Sequence, residues 1–193
     1  MGVCLQKGQK VNITKDNQGL TNLLVGIGWD INQFDTGGDF DLDSEAFLLD
    51  DNGKTTKQDD FIFFGNLKHP SGCIEHMGDN RTGAGDNDDE IIKIDLSKIP
   101  SNIRKIVFTV TIYDAEGRRQ NFGQVNNAFV RIIDESKNEE ILRYDLGEDF
   151  SIETAAVFGE LYKNNEEWKF NAIGSGYQGG LAAICNSYGI SVD

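Results

Sequence analysis

Apolar residues fall along this chain in short runs, alternating or unbroken, that are cut by turn signals and seldom follow helical spacing. Val11-Asn12-Ile13-Thr14 alternates and is predicted to be a short strand. Residues 23–29 form a mostly apolar run, a buried strand ending at Asp30. Residues 40–49 begin in strict alternation, and Asp50-Asp51-Asn52-Gly53 then supplies a strong hairpin turn. Further strands are predicted over 61–64, 73–76, 90–96 and 106–113, the last rich in β-branched and aromatic residues. The runs 129–134 and 141–144 flank a polar turn, and 155–162 with 168–170 form a hairpin around Asn164-Asn165. Only 179–188 has the pattern of a helix, with short helical turns near 120–125.

Many strands at short intervals predict an all-β fold: a β-sandwich with one short C-terminal helix and minor helical turns. The chain carries no low-complexity linker and no clear repeat, so 1–193 is taken as one domain. Such a sandwich gathers loops at the ends of its sheets, and the acidic segments of this sequence fall at strand ends.

Composition narrows the function. Hydrophobic residues make up 38% of the 193, enough for a sizeable core. The formal net charge is −14, which opposes nucleic-acid binding and direct docking on anionic lipid. No apolar run approaches the roughly 18 residues of a membrane span, and no apolar segment opens the chain as a secretory signal would. The three cysteines, Cys4, Cys73 and Cys185, are widely spaced and odd in number, which fits a reducing compartment; the expected location is cytoplasmic.

The stretch 79–90 packs Asp79, Asp86, Asp88, Asp89 and Glu90 into one glycine-bearing loop, with Asn80 and Asn87 adding amide oxygens. Carboxylates this close repel one another. A divalent cation relieves that repulsion, and Ca²⁺ takes six to eight oxygen ligands in forgiving geometry. A second cluster, Asp39-Phe40-Asp41-Leu42-Asp43, places its three carboxylates on one face if extended. It is no EF-hand: Ser44 stands where that loop needs glycine, and Asp50 where a glutamate is usual. Asp30 is the third contributor. A solvated acidic surface explains a single such loop equally well; two clusters meeting at one pole would need a cation.

Other chemistries fit less well. A general acid/base carboxylate pair is crowded out by too many acids. His69, Cys73 and His76 form a nitrogen/sulfur set on one hairpin, without the four-ligand spacing of a zinc site. No phosphate-binding glycine loop or Gly-x-Ser-x-Gly elbow occurs.

A run of segments spanning the chain then resembles the TerD family of bacterial tellurium-resistance and general stress proteins. They include Val25-Gly26-Ile27-Gly28-Trp29-Asp30, Asp39-Phe40-Asp41-Leu42-Asp43 and Gly78-Asp79-Asn80-Arg81-Thr82-Gly83 with Gly85-Asp86-Asn87-Asp88-Asp89-Glu90. Gln120-Asn121-Phe122-Gly123-Gln124-Val125, Phe158-Gly159-Glu160-Leu161-Tyr162 and Gly176-Tyr177-Gln178-Gly179-Gly180-Leu181 continue the series. Departures are small: Asn87 where the family often has Gly, Ser175 where Gln is common, and Arg119 where a smaller residue is common.

The resemblance implies a Ca²⁺-binding β-sandwich holding two ions, with a role in tellurite and stress resistance and no catalytic step. The expected ligands are Asp30, Asp41, Asp43, Asp79, Asn80, Asp88, Asp89 and Glu90, with Asp39 and Asp86 second in rank. Calcium would order the loops and create a docking surface for other tellurium-resistance proteins, including membrane-bound ones. Two alternatives stand beside it: a tellurite-reactive enzyme using the Cys73 thiol, and an interaction module that binds no metal.

Overall fold

The computed structural model describes residues 2–31, 40–78, 88–147 and 150–191. Twelve strands form two six-stranded sheets, and three short α-helices and three 3₁₀ turns complete the regular structure of these residues.

The first sheet contains β1 (Val3–Leu5), β3 (Asn22–Ile31), β6 (Ile74–His76), β7 (Glu90–Asp95), β9 (Val125–Asp134) and β10 (Glu139–Asp145). Its spatial order is β1-β10-β9-β3-β7-β6. All its pairings are antiparallel except that of β1 with β10. The second sheet contains β2 (Lys10–Asn12), β4 (Leu42–Leu49), β5 (Phe61–Ile62), β8 (Lys105–Ile112), β11 (Ala155–Asn164) and β12 (Glu167–Tyr177). It is antiparallel throughout, in the order β2-β12-β11-β8-β4-β5.

Alternation decides which residues the sheets share. Leu23, Val25, Ile27 and Trp29 of β3 and Ile92 and Ile94 of β7 join Ala46 and Leu48 of β4 and Phe108 and Val110 of β8 in one buried cluster. That is the all-β sandwich expected from the strand spacing. On β4 the intervening residues face the other way. Phe47 and Leu49 join Val107, Ala155 and Val157 in a second cluster, covered by Ile184 and Cys185 of α3 (Gly180–Tyr188). Phe47 stacks on Phe61, and Phe61 on Phe63, at centroid separations of 4.5 and 4.4 Å. The second sheet is therefore buried on both faces, which explains the near-continuous hydrophobicity of β4 and β8.

Some local expectations are revised. The 11–14 segment is not all strand: β2 ends at Asn12, whose side chain accepts the Lys15 N–H at 2.9 Å and caps the one-turn helix α1 (Ile13–Asp16). The turn at 50–53 is present, Gly53 N donating to the Asp50 carbonyl, but β5 begins only at Phe61 after a short 3₁₀ turn. The helical turns expected near 120–125 reduce to a 3₁₀ turn at Phe122–Gln124, and a one-turn helix that was not expected, α2 (Ala115–Arg118), precedes it. The β11–β12 hairpin turns at Asn165 with φ of 57°, a left-handed conformation that asparagine tolerates. Among the described residues, no helix is long and apolar enough to cross a membrane.

Candidate metal-binding pole

Strand register sends the acidic residues to one end of the sandwich. In the first sheet, β3 pairs Ile27 with Glu90 and Asp30 with Asn126, so the end of β3 lies beside the starts of β7 and β9. In the second, β4 pairs Asp43 with Thr111, and β11 pairs Ala155 with the same threonine, so β4 and β11 start where β8 ends. A hydrogen bond joins the two ends: the Ser44 N–H donates to Glu90 Oε2 at 2.7 Å.

Glu90 is the most constrained acid at this pole. It shares the inward face of β7 with Ile92 and Ile94, and is 2% exposed. Besides Ser44, its Oε2 lies 3.3 Å from His76 Nε2, which is 3.0 Å from Ser44 Oγ. His76 Nδ1 accepts the Gly78 N–H, so the ring's own proton sits on Nε2 and points toward Glu90 and Ser44. The second carboxylate oxygen, Oε1, is buried and has no hydrogen-bond partner among the described residues. The indole N–H of Trp29, on the inward face of neighbouring β3, is buried and unpartnered as well.

Asp89 is buried beside it. Its Oδ2 accepts the Trp29 N–H at 2.8 Å, while its own N–H donates to the Ile27 carbonyl. Burial raises its pKa most, against the lowering effect of the Trp29 amide; the charges of Asp30, Glu90 and Asp88 raise it further. Asp89 thus lies in the field of three further acids. On the second sheet, the wholly buried Glu45 carboxyl is pushed up to about 8, first by burial, with Asp43 and Glu90 adding to the hydroxyl-bonded balance set by Thr109 and Thr111.

The remaining expected ligands divide. Asp30 is exposed and accepts from Asn127 Nδ2 at 2.6 Å. Asp41 is partly buried just before β4, 3.9 Å from the Arg118 guanidinium, and Asp43 lies on β4. Asp88 departs from expectation. It folds over Gly26 on the outer face of the first sheet, and both its oxygens face Arg131, at 2.7 and 3.0 Å. A β-carbon on Gly26 would come within 2.3 Å of that carboxylate, so only glycine leaves room for it. Asp79, Asn80, Asp39 and Asp86 lie outside the described residues. Among the described residues, no three His, Cys, Asp or Glu side chains are grouped to hold a metal ion.

The nitrogen/sulfur set is taken apart. His69 Nδ1 accepts the Ser71 N–H, and its Nε2 faces buried Asp60 at 3.2 Å. His76 is committed to Glu90 and Ser44, and Cys73 is fully buried. Burial, first of all, pushes the Cys73 thiol up, which disfavours the reactive thiolate.

Sequence reasoning missed Ser44 and His76 as the partners of Glu90, and Arg131 as the partner of Asp88. Ser44 was readable as inward-facing from the alternation of β4; the Arg131 pairing depends on a sheet order that no local pattern carries.

A family model described as the TerD domain matches residues 1–188. The chain belongs to the TerD family. It is 60% identical over 192 residues to the general stress protein 16U of Bacillus subtilis, covering all of both chains. It is 54% identical over 191 residues to the tellurium resistance protein TerD of Serratia marcescens, covering 99% of each. Among solved structures, a TerD homologue from Streptomyces coelicolor superposes with a TM-score of 0.70 at 22% identity, over 90% of this chain and 100% of that one, which supports the fold alone. The TerD-family fold and the convergent acidic pole therefore occur together in this chain.

Proposed function

We propose that this TerD-family chain is a non-catalytic, calcium-binding protein of stress and tellurium resistance, acting in the cytoplasm. The names of its close relatives support the biological setting. The observation that carries calcium is Glu90: a buried carboxylate with one oxygen fixed by Ser44 and the other unpartnered, in the field of several more acids. A buried carboxylate oxygen without a donor is costly, and a hard cation is the partner its chemistry suits.

Asp30, Asp41, Asp43, Asp89 and Glu90 are the described donors, to be completed by Asp79 and Asn80, for two ions in all. Asp88 is assigned to Arg131 instead. Bound calcium supplies positive charge that offsets the crowding of carboxylates. The chain's own residues hold the pole in shape: Asp89 fixes the β3 backbone at Trp29, and Glu90 ties β4 to β7. The ordered pole then serves as a docking surface for other tellurium-resistance proteins.

Calorimetric titration with Ca²⁺, paired with melting curves in calcium and in chelator, tests this reading. We expect heat of binding and a melting temperature that rises with calcium concentration. No heat and superimposable melting curves sink it, and leave an interaction module that binds no metal. The thiol-enzyme alternative is disfavoured by the burial of Cys73.

A further inference from the structure

A cleft of about 830 Å³ opens on the outer face of the second sheet, where β4 starts, β8 ends and α3 begins. This volume is in the range of small-molecule sites. Its walls are of two kinds. Phe64, Tyr113 and Ile152, which line it, are each more than half exposed, and Leu181 of α3 adds a further apolar surface. Large apolar side chains kept in water around one cavity are an unusual expense for a monomeric surface.

The polar wall is acidic. Asp114 and Glu116 line it together with Arg119, and Asp43 lies at its edge. Asp114 and Glu116 enter no ion pair among the described residues. The backbone holds them there at some cost: Asp114 and Arg119, which bracket the single turn of α2, both take left-handed conformations, with φ of 49° and 57°. Arginine adopts that region rarely, and such strain tends to persist where surrounding structure enforces it. The neighbouring Arg118 guanidinium lies over the Tyr113 ring, at 5.1 Å, and 3.9 Å from Asp41.

We propose that this cleft binds a small organic cation, a protonated amine or guanidinium carried on an aromatic or branched apolar body. The body packs against Phe64, Ile152 and Leu181, and the charged head meets Asp114 and Glu116. The first turn of α3 pulls the other way, since a helix N-terminus favours anions, although its Gly180 N–H is already taken by Thr154 Oγ1. An anion on the same body is therefore the sharpest control. The two carboxylates that meet the head, Asp114 and Glu116, are not among the proposed calcium donors, although Asp43 at the edge of the cleft is one.

The test follows methyl and amide resonances of the full chain, saturated with Ca²⁺, during titration with phenethylamine and, separately, 3-phenylpropionate. We expect phenethylamine to shift the methyl signals of Ile152 and Leu181 and the amides of 114–119, with a dissociation constant of about 1 mM for so small a probe. 3-Phenylpropionate should bind there at least about fivefold more weakly, and the double variant Asp114→Asn, Glu116→Gln should weaken the amine by a similar factor. Both substitutions are on exposed side chains; if the double variant melts early, Glu116→Gln alone serves. Equal or tighter binding of 3-phenylpropionate overturns the proposal. So does an unchanged amine affinity in the variant, or amine-induced shifts confined to residues outside the cleft. A repeat titration in chelator should give the same result even if the protein proves to bind no calcium.

Discussion

The Ser44 amide donates to Glu90 Oε2, and this contact spans the two sheets of the sandwich at its acidic end. Ser44 faces inward from β4 and Glu90 inward from β7, so the bond closes the interior where the strands of both sheets run out. It uses one carboxylate oxygen and leaves the other, buried, without a donor.

Replacing Glu90 with Gln separates the structural from the ionic role of that contact. The amide oxygen still accepts from Ser44, while the charge disappears. In chelator, we expect a melting temperature equal to or above that of the parent, because an uncompensated buried charge has been removed. In calcium, the variant should lose most of the parent's gain. Differential scanning calorimetry in both buffers reads the difference. An equal calcium gain in the variant would remove Glu90 from the ligand set.

Arg131 supports the acidic segment from outside. Its guanidinium grips Asp88 through two nitrogens and reaches Glu140 at 3.4 Å. The Asp88 side chain is only 5% exposed, so removing its partner strands a largely buried charge. We expect Arg131→Met to cost about 2–4 kcal/mol, a little under the range for fully buried pairs because Arg131 itself is partly exposed. Asp88→Asn in the Arg131→Met background should recover part of that loss. Gly26→Ala should mimic the first effect by driving the carboxylate off the sheet. Urea denaturation gives all three numbers; a loss below about 0.5 kcal/mol in Arg131→Met would mean a surface-type pair.

The strands were legible because their apolar residues alternate or run unbroken, and β3, β4, β7 and β8 lie within a residue or two of their predicted spans. Strand ends alone left open whether the acidic clusters share a pole; sheet order brings Asp30, Asp43, Asp89 and Glu90 to the same end. What local pattern could not carry was competition. Asn12 was read as a strand residue, yet its side chain captures the Lys15 amide and starts a helical turn. Asp88 was read as one more acid, yet sheet order sets Arg131 beside Gly26 and diverts it. Glu45 lies on the face of β4 opposite Ser44 and Ala46. Its face is covered by α3, a helix more than a hundred residues further along the chain.

That cover gives Glu45 a measurable pH signature. Its carboxyl is wholly buried, held by the Thr109 and Thr111 hydroxyls, and its pKa rises from 4.5 to about 8. Between those values the folded chain keeps a proton that the unfolded chain has released. Stability contributed here is therefore present below pH 4.5, falls as pH climbs toward 8, and levels off above it. Glu45→Gln keeps the shape and abolishes the titration, since a threonine hydroxyl can turn to accept from the new amide. In chelator, the variant should gain on the parent steadily from pH 5 to 8, by an amount on the order of a few kcal/mol at the top. A stability difference independent of pH would place the Glu45 titration elsewhere.

Cys73 offers the cleanest division between a binding protein and a thiol enzyme. Its side chain is 0% exposed, and its neighbours are core residues of the first cluster. Burial pushes the thiol's pKa up, which disfavours the thiolate that attack on tellurite would need. Cys73→Ala should cost about 1 kcal/mol through lost packing, which a modest drop in melting temperature would report. Cells dependent on this chain for tellurite tolerance should be protected by the variant as well as by the parent, once expression is matched. Loss of protection by a variant that still folds and accumulates would restore the thiol mechanism. Protection retained, together with its loss in Glu90→Gln, would locate the activity at the acidic pole.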